Sequence, residues 1–183
     1  MRNVLIVLSG PSGVGKGTIA KILSEKKDAI LSVSCTTRKP RKGEVHGKEY
    51  FFISKEDFKK KIEENGFLEY SEHFENYYGT PKDFVFEKMK ENNVLLEIDV
   101  NGGLNVKKNF KDAVLIMVTS SREEIERRLR KRKTEDEEKI KLRMQRIDYE
   151  LSKSNLYDYV VKNDDLSVAV SEIENIIKKE NQK

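Results

Sequence analysis

Cysteine and histidine are nearly missing from this chain: Cys35 stands alone, and the histidines are His46 and His73. A lone cysteine excludes an internal disulfide framework, and one cysteine with two scattered histidines matches no metal-binding spacing. Long apolar runs are also missing. The longest, Ala113 to Val118, is far short of the roughly 20 residues that span a bilayer. The run Val4 to Leu8 is not followed by a small-residue cleavage site, so no signal peptide is expected. No Gly/Ser/Pro-rich linker and no internal repeat divides the sequence, so residues 1–183 read as a single domain. These absences suit a cytoplasmic protein with no membrane partner.

What is present is charge: 36 Lys+Arg and 32 Asp+Glu, a net of +4 and 37% of all residues. A core can still form. Leu, Ile, Val and Phe together make up 51 of the 183 residues, above the roughly 20% below which chains tend to disorder. Short apolar runs (Val4–Leu8, Ile30–Val33, Val94–Ile98, Ala113–Val118 and Tyr159–Val161), several of them hydrophobic throughout, alternate with amphipathic stretches. That pattern predicts an α/β fold, with a parallel sheet covered by helices on both faces. Helix starts are signalled at Ser54, at Thr80-Pro81 and at Ser121 with Glu124; Gly66 is a stop after Asn65. From Leu166 onward, Val170, Ile173, Ile176 and Ile177 form a helical stripe. Between Glu49 and Phe74 the rhythm changes to two polar, aromatic strand segments, Glu49–Ile53 and Phe67–Phe74, around a helix. This reads as a small α+β insertion that holds a ligand.

The first strand runs directly into Gly10-Pro11-Ser12-Gly13-Val14-Gly15-Lys16-Gly17-Thr18, and a helix follows. Glycines let backbone N–H groups close around phosphate oxygens, the helix N-terminus favours anions, and Lys16 can reach the β- and γ-phosphates. The hydroxyl that usually follows the lysine is displaced by one place, with Gly17 there and Thr18 next. Thr18 is therefore the candidate to meet Mg²⁺, unless water takes a larger share. A glycine-rich structural turn is the bland alternative, and the strand–loop–helix context argues against it. A second segment, Ser34-Cys35-Thr36-Thr37-Arg38-Lys39-Pro40-Arg41, places two guanidinium groups three residues apart beside a proline, a hook suited to a phosphate dianion.

Together these segments resemble guanylate kinase. So do Gly47–Phe52, Gly66–Tyr70, Asn76–Thr80, Leu96–Gly102, Arg132–Glu135 and Asn163–Asp165, so the resemblance covers essentially the whole chain. It implies a P-loop NTPase-type core in residues 1–33, 81–121 and 147–183, a GMP-binding region in 34–80 and a helical lid in 122–146. It implies Mg²⁺-dependent transfer of the γ-phosphoryl group of ATP to GMP, in purine nucleotide metabolism and GMP recycling. The partners are then small molecules, ATP and GMP, with dGMP and oligomeric state left open and no nucleic-acid polymer required. By the same resemblance Arg38, Arg41, Tyr50 and Tyr78 grip the GMP phosphate, while Ser34, Glu69 and Thr80 read guanine. Asp99 approaches the metal and GMP, Asn163 and Asp164 lie at the adenine end, and Lys16, Arg38, Arg132 and Arg143 carry the catalysis. Lys133 stands where the family usually has glycine. A non-catalytic interaction module of the same family is the competing reading, and the intact phosphate loop argues against it.

The charge surplus has an address. Residues 122–146 hold 11 basic and 7 acidic side chains, a surplus equal to that of the whole chain. The basic balance therefore belongs to the expected lid, where nucleotide phosphates are its natural counterpart.

Overall fold

The computed structural model describes residues 2–73, 75–131 and 137–183, without the side chains of residues 73 and 139. Five strands, β1 (Leu5–Ser9), β2 (Ile30–Leu31), β7 (Val94–Glu97), β8 (Val114–Thr119) and β9 (Tyr159–Lys162), form a parallel sheet in the order β2-β7-β1-β8-β9. These correspond to the five apolar runs of the sequence, with ends shifted by a residue or two. The central strands β1 and β8 are apolar on both sides because both faces are covered, whereas Val160 of the edge strand β9 is exposed. Ile6 and Leu8 of β1 join Val114, Ile116 and Val118 of β8 beneath α1 (Lys16–Glu25) and α7 (Leu166–Asn181). Leu5 and Val7 join Leu115 and Met117 on the opposite face, with α4 (Val100–Asn109). The period-2 alternation of a strand thus divides one apolar run between two cores.

The insertion carries a second sheet of four strands, ordered β4-β3-β6-β5. It comprises β3 (Cys35–Thr36), β4 (Phe51–Phe52), β5 (Phe67–His73) and β6 (Asn76–Pro81), with α2 (Lys55–Glu63) packed on it. Phe58 of α2 is fully buried and stacks on Phe67 at 4.4 Å and Tyr77 at 5.3 Å between ring centroids. The sequence showed two of these strands; β3 and β6 are additional, and Phe74 lies outside the described residues. The cap at Ser54 is as expected, its hydroxyl accepting from the Asp57 N–H at 2.9 Å.

Three local expectations are corrected. Thr80 is a strand residue and Pro81 is itself the N-cap, so α3 (Lys82–Met89) starts one residue later than expected. At the end of α2 the left-handed residue is Asn65, with φ 53°, and not Gly66. Gly66 is required for another reason: a Cβ there would come 2.7 Å from Cγ of Lys61. Before α5 (Arg122–Lys131), the Glu124 N–H does reach the Ser121 hydroxyl at 3.3 Å, but the Ser121 N–H goes to Asp164. α6 (Glu137–Leu151) follows and is tied back to α5 by the Arg122–Asp148 ion pair.

Gly10, the hinge between β1 and the phosphate loop, has φ +145°, and a Cβ there would sit 2.2 Å from the Val118 carbonyl oxygen of β8. Gly10→Ala is therefore expected to cost more than about 3 kcal/mol, from strain added to a backbone collision. Urea unfolding of the two proteins measures it, and a cost below about 1 kcal/mol contradicts the close approach.

Candidate functional site

The site gathers where β1 and β7 end side by side, at the carboxyl edge of the parallel sheet where α/β folds place their ligands. Leu8 is in register with Glu97, and the Ile98 N–H donates to the Leu8 carbonyl at 3.3 Å. After Ser9 the chain turns through Gly10, Gly13 and Gly15, all with positive φ. Gly15 caps α1 from a left-handed conformation and brings no side-chain acceptor. The first-turn N–H groups of α1 are left for an anion. The Lys16 ammonium lies within the curve of the loop, donating to the Gly10 carbonyl at 2.6 Å and the Pro11 carbonyl at 3.1 Å.

The far side of this loop is held by residues distant in sequence. Asn163, just past β9, donates from Nδ2 to the Val14 carbonyl at 2.7 Å, and Arg128 of α5 donates to the same carbonyl at 3.2 Å. Arg128 also donates to the Asn163 carbonyl at 2.9 Å and is oriented by Glu124 at 2.6 Å. The guanidinium groups of Arg127 and Arg128 hold the Glu124 carboxyl down at about 2. With Gly13, Gly15 and Thr18, these residues line a cleft of about 360 Å³. Asn163 Oδ1 is buried there with no hydrogen-bond partner among the described residues. An orphaned buried acceptor is costly unless a ligand donates to it. Asp164, expected beside Asn163 in this role, instead accepts from the Ser120 hydroxyl at 2.8 Å and pairs with Lys162 at 2.7 Å. It braces the loop. Arg143 reaches the phosphate loop from α6, donating to the Ser12 hydroxyl at 3.0 Å. Arg132 and Lys133 lie outside the described residues.

The second half of the site is on the small sheet. Glu69 of β5 is only 8% exposed, and the Thr80 hydroxyl of β6 donates to its Oε1 at 2.7 Å. Burial pushes the Glu69 carboxyl up to about 6; the Thr80 bond opposes this and Asp99 adds to it. Its other oxygen lies against Gly102 in the first turn of α4. The N-cap of that helix is Asp99, which accepts from the Gly102 N–H at 2.8 Å. Ser9 donates to the Asp99 carbonyl at 3.2 Å, and Tyr157 donates to the Val100 carbonyl at 3.0 Å, which fixes the end of β7 beside the loop. Ser34 precedes β3, its carbonyl accepting from the Phe51 N–H at 2.9 Å.

Arg38, Tyr50 and Tyr78 do converge. The Arg38 guanidinium lies 5.5 Å from the Tyr50 ring centre, and the two tyrosine rings meet edge to face at 6.1 Å. Arg38 is clamped by Glu44 through two bonds of 2.9 Å, and Glu44 also accepts from the Arg41 N–H at 2.7 Å. Hydrogen bonds from Arg38 and from the Arg41 backbone bring the Glu44 carboxyl down to about 2. The Arg41 side chain is exposed at the rim. Glu44 and Arg128 were not foreseen from the sequence. Glu44 closes the basic hook on itself, and Arg128 was one charge among many.

Thr18 faces the Asn163 side of the loop. Gly17 is the position turned toward Glu97. Partial desolvation at the strand end raises the Glu97 carboxyl above its usual value, opposed by the charge of Lys16, although the residue keeps an exposed face. No cluster of three or more His, Cys, Asp or Glu suited to a metal occurs among the described residues.

A family model described as guanylate kinase matches residues 2–180. The guanylate kinase of Caldanaerobacter subterraneus subsp. tengcongensis is 52% identical over 96% of this chain and 87% of its own length. That of Clostridium tetani is 47% identical over 98% and 87%. Among solved structures, guanylate kinase from Anaplasma phagocytophilum superposes with a TM-score of 0.77 at 32% identity, covering 100% of this chain and 88% of that one. A shikimate kinase from Bacteroides thetaiotaomicron, at 18% identity and a TM-score of 0.55, shares the fold alone.

Proposed function

The chain belongs to the guanylate kinase family, nucleoside monophosphate kinases that transfer a phosphoryl group from ATP to GMP, and from that premise we propose how its own residues do so. The observation that carries the proposal is the buried Glu69–Thr80 pair beside Asp99, on the sheet next to the phosphate loop. Guanine presents its N1–H and N2 amine side by side, and a fixed carboxylate accepts from both. Adenine offers a lone pair at N1, so Glu69 rejects it. Ser34 and Thr80 complete the reading of the base, while Arg38, Arg41, Tyr50 and Tyr78 hold the acceptor phosphate.

On the donor side, residues Gly10 to Thr18 cradle the ATP phosphates, and Asn163 accepts from the adenine amine through its orphaned Oδ1. The GMP phosphate oxygen is already ionised near neutral pH, so no general base is needed. Positioning and electrostatics suffice. Lys16 offsets charge growing on the transferred group, and Arg143 with Arg132 closes over it from the lid segment, 122–146. Arg128 is a positioning residue that fixes the phosphate loop to the Asn163 loop. Mg²⁺, when bound with ATP, would neutralise charge on the β- and γ-phosphates. Mg²⁺ is commonly held by one or two carboxylates together with substrate phosphates and water, and Asp99 is one such carboxylate. The protein acts as a single domain in the cytoplasm, recycling GMP within purine nucleotide metabolism. Among the described residues no helix is long and apolar enough to cross a membrane.

A panel of GMP, dGMP, AMP, CMP and UMP with ATP tests the reading. GMP is expected to turn over fastest of the four ribonucleotides, by at least about a hundredfold over AMP. Faster turnover of AMP refutes the role given to Glu69, and titration calorimetry that finds neither ATP nor GMP bound favours a non-catalytic module.

A further inference from the structure

The residue after a phosphate-loop lysine ordinarily offers a hydroxyl to the magnesium that accompanies the nucleotide. Gly17 offers none. The space its side chain would enter faces a carboxylate: a Cβ at Gly17 would come 3.4 Å from Oε1 and 3.5 Å from Oε2 of Glu97. Strand register puts Glu97 there, since it pairs with Leu8 at the end of β1, two residues before the loop begins at Gly10. Thr18 is about 100° further round the helix and lines the cleft with Gly15 and Asn163. We infer that Glu97, and not Thr18, takes over the missing hydroxyl's task, giving a carboxylate oxygen to the magnesium directly or through one of its waters. Two strand-end carboxylates, Glu97 and Asp99, then face the metal.

The inference rests on the reading of the chain as an ATP:GMP kinase. It is tested on the full chain by titrating Mn²⁺ into the enzyme·ADP complex and reading free Mn²⁺ by electron paramagnetic resonance. Glu97→Gln is expected to weaken Mn²⁺ by about tenfold or more, in the range seen when a metal site loses a supporting group. Its affinity for ADP in EDTA is expected to stay within twofold of wild type. Thr18→Ala is expected to leave Mn²⁺ affinity within twofold. A loss smaller than about tenfold in Glu97→Gln overturns the assignment. So does an equal loss of metal-free ADP binding, because Glu97 would then act by holding Lys16; so does a matching Mn²⁺ loss in Thr18→Ala. Wild-type turnover of ATP with GMP is measured alongside. If it is present, these failures sink only the role of Glu97; if it is absent, the kinase reading falls as well.

Discussion

Lys16→Ala is expected to lower turnover by roughly three orders of magnitude while leaving the fold intact, since removing a preorganised group that meets transition-state charge commonly costs a hundredfold to a thousandfold. Two observations support the size and selectivity of this effect. The ammonium lies inside the loop, held by the Gly10 and Pro11 carbonyls. The remaining loop geometry is fixed independently of it, by the close approach of Gly10 to Val118 and by Asn163 and Arg128 at Val14. The variant should therefore melt within a few degrees of wild type. A coupled assay at saturating ATP and GMP, read beside a circular-dichroism melt, checks both halves. Turnover within tenfold of wild type would remove Lys16 from the mechanism.

Glu69→Gln should separate stability from function in opposite directions. A glutamine can still accept from Thr80, but its amide cannot replace a carboxylate that takes two donors from guanine. The expected loss in kcat/KM for GMP is roughly a thousandfold, about 4 kcal/mol, with the KM for ATP little changed. Stability moves the other way. The Glu69 pKa is raised to about 6 in the folded protein, against roughly 4.3 in an unfolded chain. Its contribution is therefore most favourable below pH 4.3 and is lost as pH rises through 6. The cost of ionising it in place approaches about 2 kcal/mol above pH 7. Glu69→Gln removes that cost, so the variant should be more stable than wild type at pH 7.5 and indistinguishable near pH 4. Denaturant titrations at the two pH values measure this. A destabilised variant at pH 7.5 would contradict the desolvated carboxylate. For wild type, kcat/KM for GMP should fall as pH drops through 6, because a protonated Glu69 accepts less from guanine.

The five-stranded sheet was readable because its central strands are covered on both faces, and an unbroken apolar run such as Ala113–Val118 has few other homes. The small sheet was only half readable. Cys35–Thr36 is too short to show a period, and Asn76–Pro81 contains the polar, glycine and proline residues that ordinarily mark turns. Side chains carrying a recognisable chemical pattern, such as Lys16 or the Arg38 hook, stood out in the sequence. Arg128 did not, because its i,i+4 spacing from Glu124 is what any solvated helix shows. Its use depends on Val14, 114 residues away. Glu44 was hidden for the opposite reason. It stands close to Arg38 in sequence, yet only the turn of the chain makes the two clamp. The Thr18 hydroxyl is the natural substitute for the one that Gly17 lacks, and what the sequence does not show is that it lines the cleft shared by Gly15 and Asn163.

The placement of β1 also governs when this protein can become itself. The N-terminal strand lies between β7 and β8, and the Val4 N–H bonds the side chain of Asn93, 89 residues further on. During synthesis the apolar β1 therefore precedes both of its sheet neighbours, β7 and β8, and stays unpaired until they have followed. Such distant pairings fold slowly and leave sticky surface exposed in the interval. The carbonyl that shapes the Gly10 turn belongs to β8, so the phosphate loop cannot take its form until that strand has closed. The form of the phosphate loop is thus a late product of folding, although its sequence is complete long before β8 is made.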